Sequence, residues 1–129
     1  MSEVKEFRVA LTVDDFDAAL SFYRDALGLP QVADWSSDGG RVVLLDAGRA
    51  TLELLDERQA AVVDEVETGD RVSGAVRLAL EVPDSEATAR WLVAAGATAL
   101  ADPVTTPWGD HNARVRTPDG MQLTLFSTP

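Results

Sequence analysis

Phe7-Arg8-Val9-Ala10-Leu11-Thr12-Val13-Asp14-Asp15 and Val76-Arg77-Leu78-Ala79-Leu80-Glu81-Val82-Pro83-Asp84 are two versions of one stretch. Arg, Ala, Leu, Val and Asp recur at the same places. Apolar alternation accounts for part of the match, but not for the shared Arg and the shared Asp. An internal repeat of this size marks a doubled structural unit. Each copy runs into a helical pattern. In the first, Asp14 or Asp15 caps, and Phe16, Ala19, Leu20, Tyr23 and Leu27 follow at helical spacing until Gly28 and Pro30. In the second, Asp84 or Ser85 caps, Thr88, Trp91, Leu92 and Ala95 form the stripe, and Gly96 ends it. Phe22 and Trp91 fall at equivalent places, where helical spacing predicts core or helix-to-helix contacts.

Three strands follow each helix. The first set is Gln31–Ser36, Arg41–Asp46 and Ala50–Asp56; the second is Thr98–Val104, Asn112–Thr117 and Met121–Ser127. Ser37-Asp38-Gly39-Gly40, Ala47-Gly48 and Pro118-Asp119-Gly120 are the turns. The reading is therefore α+β, with βαβββ modules at residues 4–56 and 75–129. The acidic segment Glu57–Gly74 joins them as a surface linker.

Each helix covers one face of its own sheet. Val9, Leu11 and Val13 meet the first helix, and Leu78, Leu80 and Val82 meet the second. Arg8, Ala10, Thr12, Arg77, Ala79 and Glu81 point to the other face. So do Thr51, Glu53 and Leu55, and Gln122, Thr124 and Phe126. Two modules side by side would curl these faces into a cup within one mixed, curved sheet. Leu55 and Phe126, apolar on an otherwise polar side, favour a cup over a plain solvent-facing sheet.

Composition narrows the function. The chain has 129 residues, 46% of them hydrophobic and 26% charged, as in a single globular domain. No cysteine is present, which excludes disulfides, thiolate metal sites and cysteine nucleophiles. Net charge is −11. A nucleic-acid backbone and an anionic membrane surface would both be repelled. MSEVKEFRV carries no basic region leading into an apolar run, so the expected location is the cytoplasm. No serine lies in a nucleophile elbow, and no glycine-rich turn opens a helix.

Three stretches, VALTVDDFDAALSFYRDALGL, LALEVPDSEATARWLVAAGA and PWGDHNARVRTPDGMQLTLF, resemble the vicinal oxygen chelate superfamily over nearly the whole chain. That superfamily includes glyoxalase I, methylmalonyl-CoA epimerase, extradiol dioxygenases and bleomycin-resistance proteins. The resemblance implies a divalent metal held by His or Glu from the first, fourth, fifth and eighth strands. Here those places fall on Arg8, Glu53, Arg77 and Thr124. Only Glu53 is a good ligand, because arginine stays protonated and repels a cation. His111, the single histidine, lies in the Pro107–His111 loop and cannot build a His-rich site alone. Loss of the metal and no cofactor are therefore expected, with Arg8, Glu53 and Arg77 forming an ion-pair cluster in its place.

Without the metal, the resemblance points to the bleomycin-resistance branch, whose members sequester a drug without chemistry. The expectation is a non-enzymatic, homodimeric binding protein giving antibiotic or natural-product resistance. Its ligand would be a planar aromatic or cationic small molecule. Trp35 and Trp108, outside both helix stripes, would sandwich it at the mouth. Leu44, Glu53, Arg77, His111 and Phe126 complete the expected ligand-binding set, and no residue is assigned to catalysis. The alternatives are a glyoxalase- or dioxygenase-type enzyme with an atypical metal site or none, and a regulatory domain using the cup for a peptide or metabolite. Arg114 and Arg116 share one side of their strand, either lining the cup or facing solvent. The Glu57–Gly74 linker is long enough for modules to be exchanged between two chains.

Overall fold

The computed structural model describes residues 3–118 and 120–129. The first module contains β1 (Glu6–Thr12), α1 (Phe16–Leu20), β2 (Gln31–Asp34), β3 (Val42–Asp46) and β4 (Thr51–Leu55). Then come α2 (Glu57–Thr68), β5 (Val76–Glu81), α3 (Ser85–Ala94), β6 (Thr98–Ala99), β7 (Val104–Thr105), β8 (His111–Arg116) and β9 (Gln122–Ser127). The strand expected over Thr98–Val104 is thus split into β6 and β7, both paired with β8. The turn expected at Pro118-Asp119-Gly120 includes Asp119, which lies outside the described residues.

One mixed sheet runs β2-β3-β4-β1-β5-β9-β8-β6, with β7 also on β8. The repeat explains this order. β1 pairs β4 in parallel and β5 pairs β9 in parallel, and the modules meet where β1 and β5 run antiparallel. Across that seam Arg8 faces Ala79 and Ala10 faces Arg77. The rotation that carries Arg8 onto Arg77 therefore carries Ala79 onto Ala10, so the sequence repeat is a spatial two-fold within the chain. The helix caps obey it as well. Asp15 accepts from the Ala18 N–H and Asp84 from the Ala87 N–H, each at 3.0 Å.

Strand alternation divides the core. On the convex side, Phe16 and Leu20 of α1 pack on Val43, Leu45 and Leu54, while Ala89 of α3 packs on Ala113, Val115, Leu123 and Leu125. Two aromatic expectations fail here. Phe22 is 61% exposed and Trp91 62%. Helix α3 buries Ser85, Thr88 and Ala89, with Leu92 partly packed, which leaves Trp91 on its flank. After α1 the chain takes a π-helical turn over Ser21–Ala26, in which the Leu27 N–H bonds to the Phe22 carbonyl at 2.8 Å. The wider turn rotates Leu27 outward, and Leu29 packs on the core instead.

The largest departure is Glu57–Gly74. Most of this segment is helix, and it is not a surface linker. Asp56 caps it by accepting from the Gln59 N–H at 2.8 Å, and Gly69 ends it at φ 87°, a left-handed conformation suited to glycine. Ala60, Val63, Asp64 and Glu67 are buried, at the i, i+3, i+4, i+7 spacing of one helix face. That face lies in the concavity, where Val63 packs with Ala10, Val42 and Leu55. The apolar Leu55 is thus covered by the chain's own helix. No helix among the described residues is long and apolar enough to cross a membrane.

Candidate binding site

Arg8, Glu53, Arg77 and Thr124 stand on four adjacent central strands with their side chains on the concave face, and they form one network. A guanidinium nitrogen of Arg8 is 3.9 Å from Glu53 Oε2, and one of Arg77 is 3.6 Å from Glu53 Oε1. Arg77 also donates to Thr124 Oγ1 at 3.0 Å. Glu6, at the outer end of β1, takes a second bond from Arg8 at 2.9 Å. Two guanidiniums, a hydroxyl and a single carboxylate do not suit a divalent ion. The guanidiniums keep their charge and offer no lone pair. Among the described residues, no three His, Cys, Asp or Glu side chains come together as a metal could require.

Helix α2 completes the network from above. Arg114, on β8, has a side chain with no exposed surface. It donates to Asp64 Oδ1 at 3.0 Å and to Glu67 Oε1 at 3.0 and 3.1 Å, and it also reaches Thr124 and Gln122. Thr124 donates to the same Glu67 oxygen at 2.8 Å, and Asn112 Nδ2 donates to the other at 2.9 Å. Asp64 further accepts from the Val72 and Ser73 N–H groups, the Ser73 hydroxyl and Arg71. Burial pushes the Asp64 pKa up. The Ser73 N–H and hydroxyl and the Arg114 charge outweigh that effect and hold it at about 2. A cavity of about 10 Å³ remains beneath the helix, bounded by Ala10, Leu55, Ala60, Val63, Asp64 and Arg77. That is roughly the space of one water molecule. The open cup expected from the sequence is therefore filled over this part of the sheet.

The rim past α2 is different. Arg8 lies between two aromatic rings, 4.9 Å from the Phe126 centroid and 5.5 Å from that of Trp35. Phe126 is buried, and Trp35 is 49% exposed. Trp108 is also 49% exposed. Burial raises the Asp110 pKa, against the opposing pull of the Arg8 and His111 charges and the nearby Trp108 side chain. His111 is exposed, with Nδ1 3.1 Å from Thr105 Oγ1. Leu44 pairs with Glu53 across β3 and β4 and is buried. The structure thus links Arg8 to Glu53, Trp35 and Phe126, while Trp108 stands in the exposed loop between β7 and β8. His111 sits outside the buried network. Arg114 lines the concave face, whereas Arg116 is exposed.

Sequence reasoning missed Asp64, Glu67, Asn112 and Asp110. Only the first two carried a signal. They share a helix face with Ala60 and Val63, between a cap at Asp56 and a stop at Gly69.

The family model described as Glyoxalase/Bleomycin resistance protein/Dioxygenase superfamily matches residues 7–125. The chain belongs to this superfamily. An uncharacterized protein of Bacillus subtilis (strain 168), YraH, is 36% identical over 63 residues, a match spanning 48% of each chain, about half the length of that relative. Methylmalonyl-CoA epimerase from Mycobacterium tuberculosis superposes with a TM-score of 0.70 at 22% identity, over 100% of this chain and 91% of that one. A glyoxalase/bleomycin resistance protein/dioxygenase superfamily member from Vibrio splendidus 12B01 gives 0.64 at 16%, over 98% and 99%. At these identities the structural likeness establishes the superfamily fold alone. The superfamily includes enzymes, so membership does not decide between binding and catalysis.

Proposed function

We propose that this superfamily member is a non-catalytic small-molecule-binding protein that sequesters a planar aromatic compound at the rim of its cup. One observation carries this reading: the four positions that would hold the superfamily's metal are Arg8, Glu53, Arg77 and Thr124, bonded to one another. The same Arg8 is the floor of an aromatic rim. A flat ligand can stack on Trp35 and Trp108 while a carbonyl or anionic group on it meets Arg8. A cationic ligand fits less well, because Trp35 and Phe126 already hold a cation. Protection against an antibiotic or natural product in the cytoplasm, by a homodimer, is the role this implies. Catalysis built on Glu53 and His111 is less well supported: Glu53 is buried between two guanidiniums, while His111 is exposed on Thr105.

The test is tryptophan fluorescence against a panel of polycyclic aromatic natural products. Saturable quenching that is lost in Trp35→Ala or Trp108→Ala, and in Arg8→Met, supports the reading. Turnover of a panel compound, or quenching indifferent to all three substitutions, would defeat it. Light scattering during the titration reports whether the binding species is a dimer.

A further inference from the structure

Helix α2 has the position of a ligand. Arg114 is fully buried, yet among the described residues the sheet offers it only the neutral oxygens of Thr124 and Gln122. Both carboxylates that neutralise it, Asp64 and Glu67, come from α2. Among the described residues Arg77, nearby, has Glu53 alone as an ionic partner. The apolar part of the buried helix face is small, Ala60 and Val63. The buried polar hold on the helix is two anionic groups on an arginine-bearing floor, and a solute of the same chemistry can replace such contacts. Beside it Asn112 is 5% exposed and its Nδ2 donates to Glu67, while among the described residues its Oδ1 has no partner. The side-chain amide is left half-satisfied by the helix that covers it.

We propose that α2 is a built-in occupant of the cup, and that the floor beneath it is a site for a small molecule bearing two carboxylate or phosphate groups. Arg114 holds Asp64 and Glu67 through adjacent nitrogens, so the two anions are set about the width of one guanidinium apart. A short dianion matches that spacing. With only room for about one water below the helix, the dianion enters as α2 leaves. The C-terminal end of α2 is joined to β5 by a loop with Gly69 and Gly74 at its ends, whereas its N-terminal end follows β4 directly through Asp56, so the end that carries Asp64 and Glu67 is the one that would move. Occupancy of the cup and release of α2 become one event. This proposal rests on reading the chain as a small-molecule binder, but it concerns Arg114 and α2, whereas that reading concerns the tryptophan rim.

The experiment is hydrogen exchange of the wild-type protein with malonate or inorganic pyrophosphate as probe, against sodium chloride at matched ionic strength. Amides of α2 are expected to exchange at least tenfold faster with the probe, while those of α3 stay unchanged. Unchanged α2 protection, or equal acceleration by chloride, overturns the proposal. Calorimetry gives an independent arm. Asp64→Asn with Glu67→Gln is expected to bind malonate at least tenfold tighter than wild type, and adding Arg114→Met is expected to abolish that binding. A folded double variant that binds no tighter overturns it; if the variant does not fold, the wild-type exchange result decides. Tryptophan quenching by aromatic ligands, with α2 protection unmoved by malonate or pyrophosphate, would retain the binder reading and reject this one. Probe-dependent release of α2 without quenching by any aromatic ligand would do the reverse.

Discussion

Arg114→Met is the most informative single substitution. Methionine retains much of the buried volume but removes the charge, so packing is a minor part of the effect. The change strands two buried carboxylates. Glu67 loses its guanidinium partner and keeps Asn112 and Thr124; Asp64 keeps Arg71 and the Ser73 and Val72 N–H groups. Removing one partner of a buried ion pair costs about 3–5 kcal/mol. The retained bonds to Asp64 place this case near the lower end, at about 3 kcal/mol. A domain of this size is stable by roughly 5–15 kcal/mol, so the loss is a large fraction of the whole. Urea unfolding followed by circular dichroism should show the midpoint falling with little change in slope. Adding Asp64→Asn and Glu67→Gln to Arg114→Met removes the stranded charges and should restore a good part of the loss. A cost below about 1 kcal/mol for Arg114→Met, or no recovery in the triple variant, would mean that α2 does not sit on Arg114 as a buried, paired acid.

Other consequences follow from the same contacts. Asp64 has a folded pKa of about 2 against an ordinary value of 3.8. A depressed carboxylate contributes fully above the unfolded value, so about 2 kcal/mol of stability present above pH 4 should drain away as pH falls toward 2. Asp64→Asn should flatten that slope in acid titrations followed by circular dichroism. A Cβ on Gly40 would lie 2.4 Å from the Gln59 nitrogen and 2.7 Å from the Asp56 carboxylate, so Gly40→Ala should push the start of α2 off the hairpin. We expect a cost of about 1–3 kcal/mol and hydrogen exchange that rises first in α2. Asp15→Ala and Asp84→Ala should each cost about 1 kcal/mol, by chemical denaturation, through loss of the bond to the third residue of the helix.

What could be read in advance was whatever is local or doubled. Arg8 and Arg77, Asp15 and Asp84, and the apolar alternation of β1, β5 and β9 recur in both halves and follow from backbone period alone. The ion-pair cluster was legible because strand alternation fixes which side chains share a face. Helix α2 was hidden because its buried stripe is half acidic: Asp64 and Glu67 look like solvated charge until Arg114 is placed beneath them. Arg114 was opaque for the reciprocal reason, since its counterions lie some fifty residues away on an element read as a linker. Phe22 and Trp91 show the limit of periodicity. Helical spacing puts them near the apolar stripe, but a π-helical turn in one case and a stripe set by Ser85, Thr88 and Ala89 in the other leave them outside.

We propose that Arg8 and Arg77, paired with Glu53, stand where the superfamily's metal would sit. Metal content of protein purified without a histidine tag, followed by calorimetric titration with nickel, zinc, manganese and iron(II), tests it most directly. Neither stoichiometric metal nor saturable heat is expected, in wild type and Glu53→Gln alike. One tightly bound ion per chain, lost in Glu53→Gln, would contradict it.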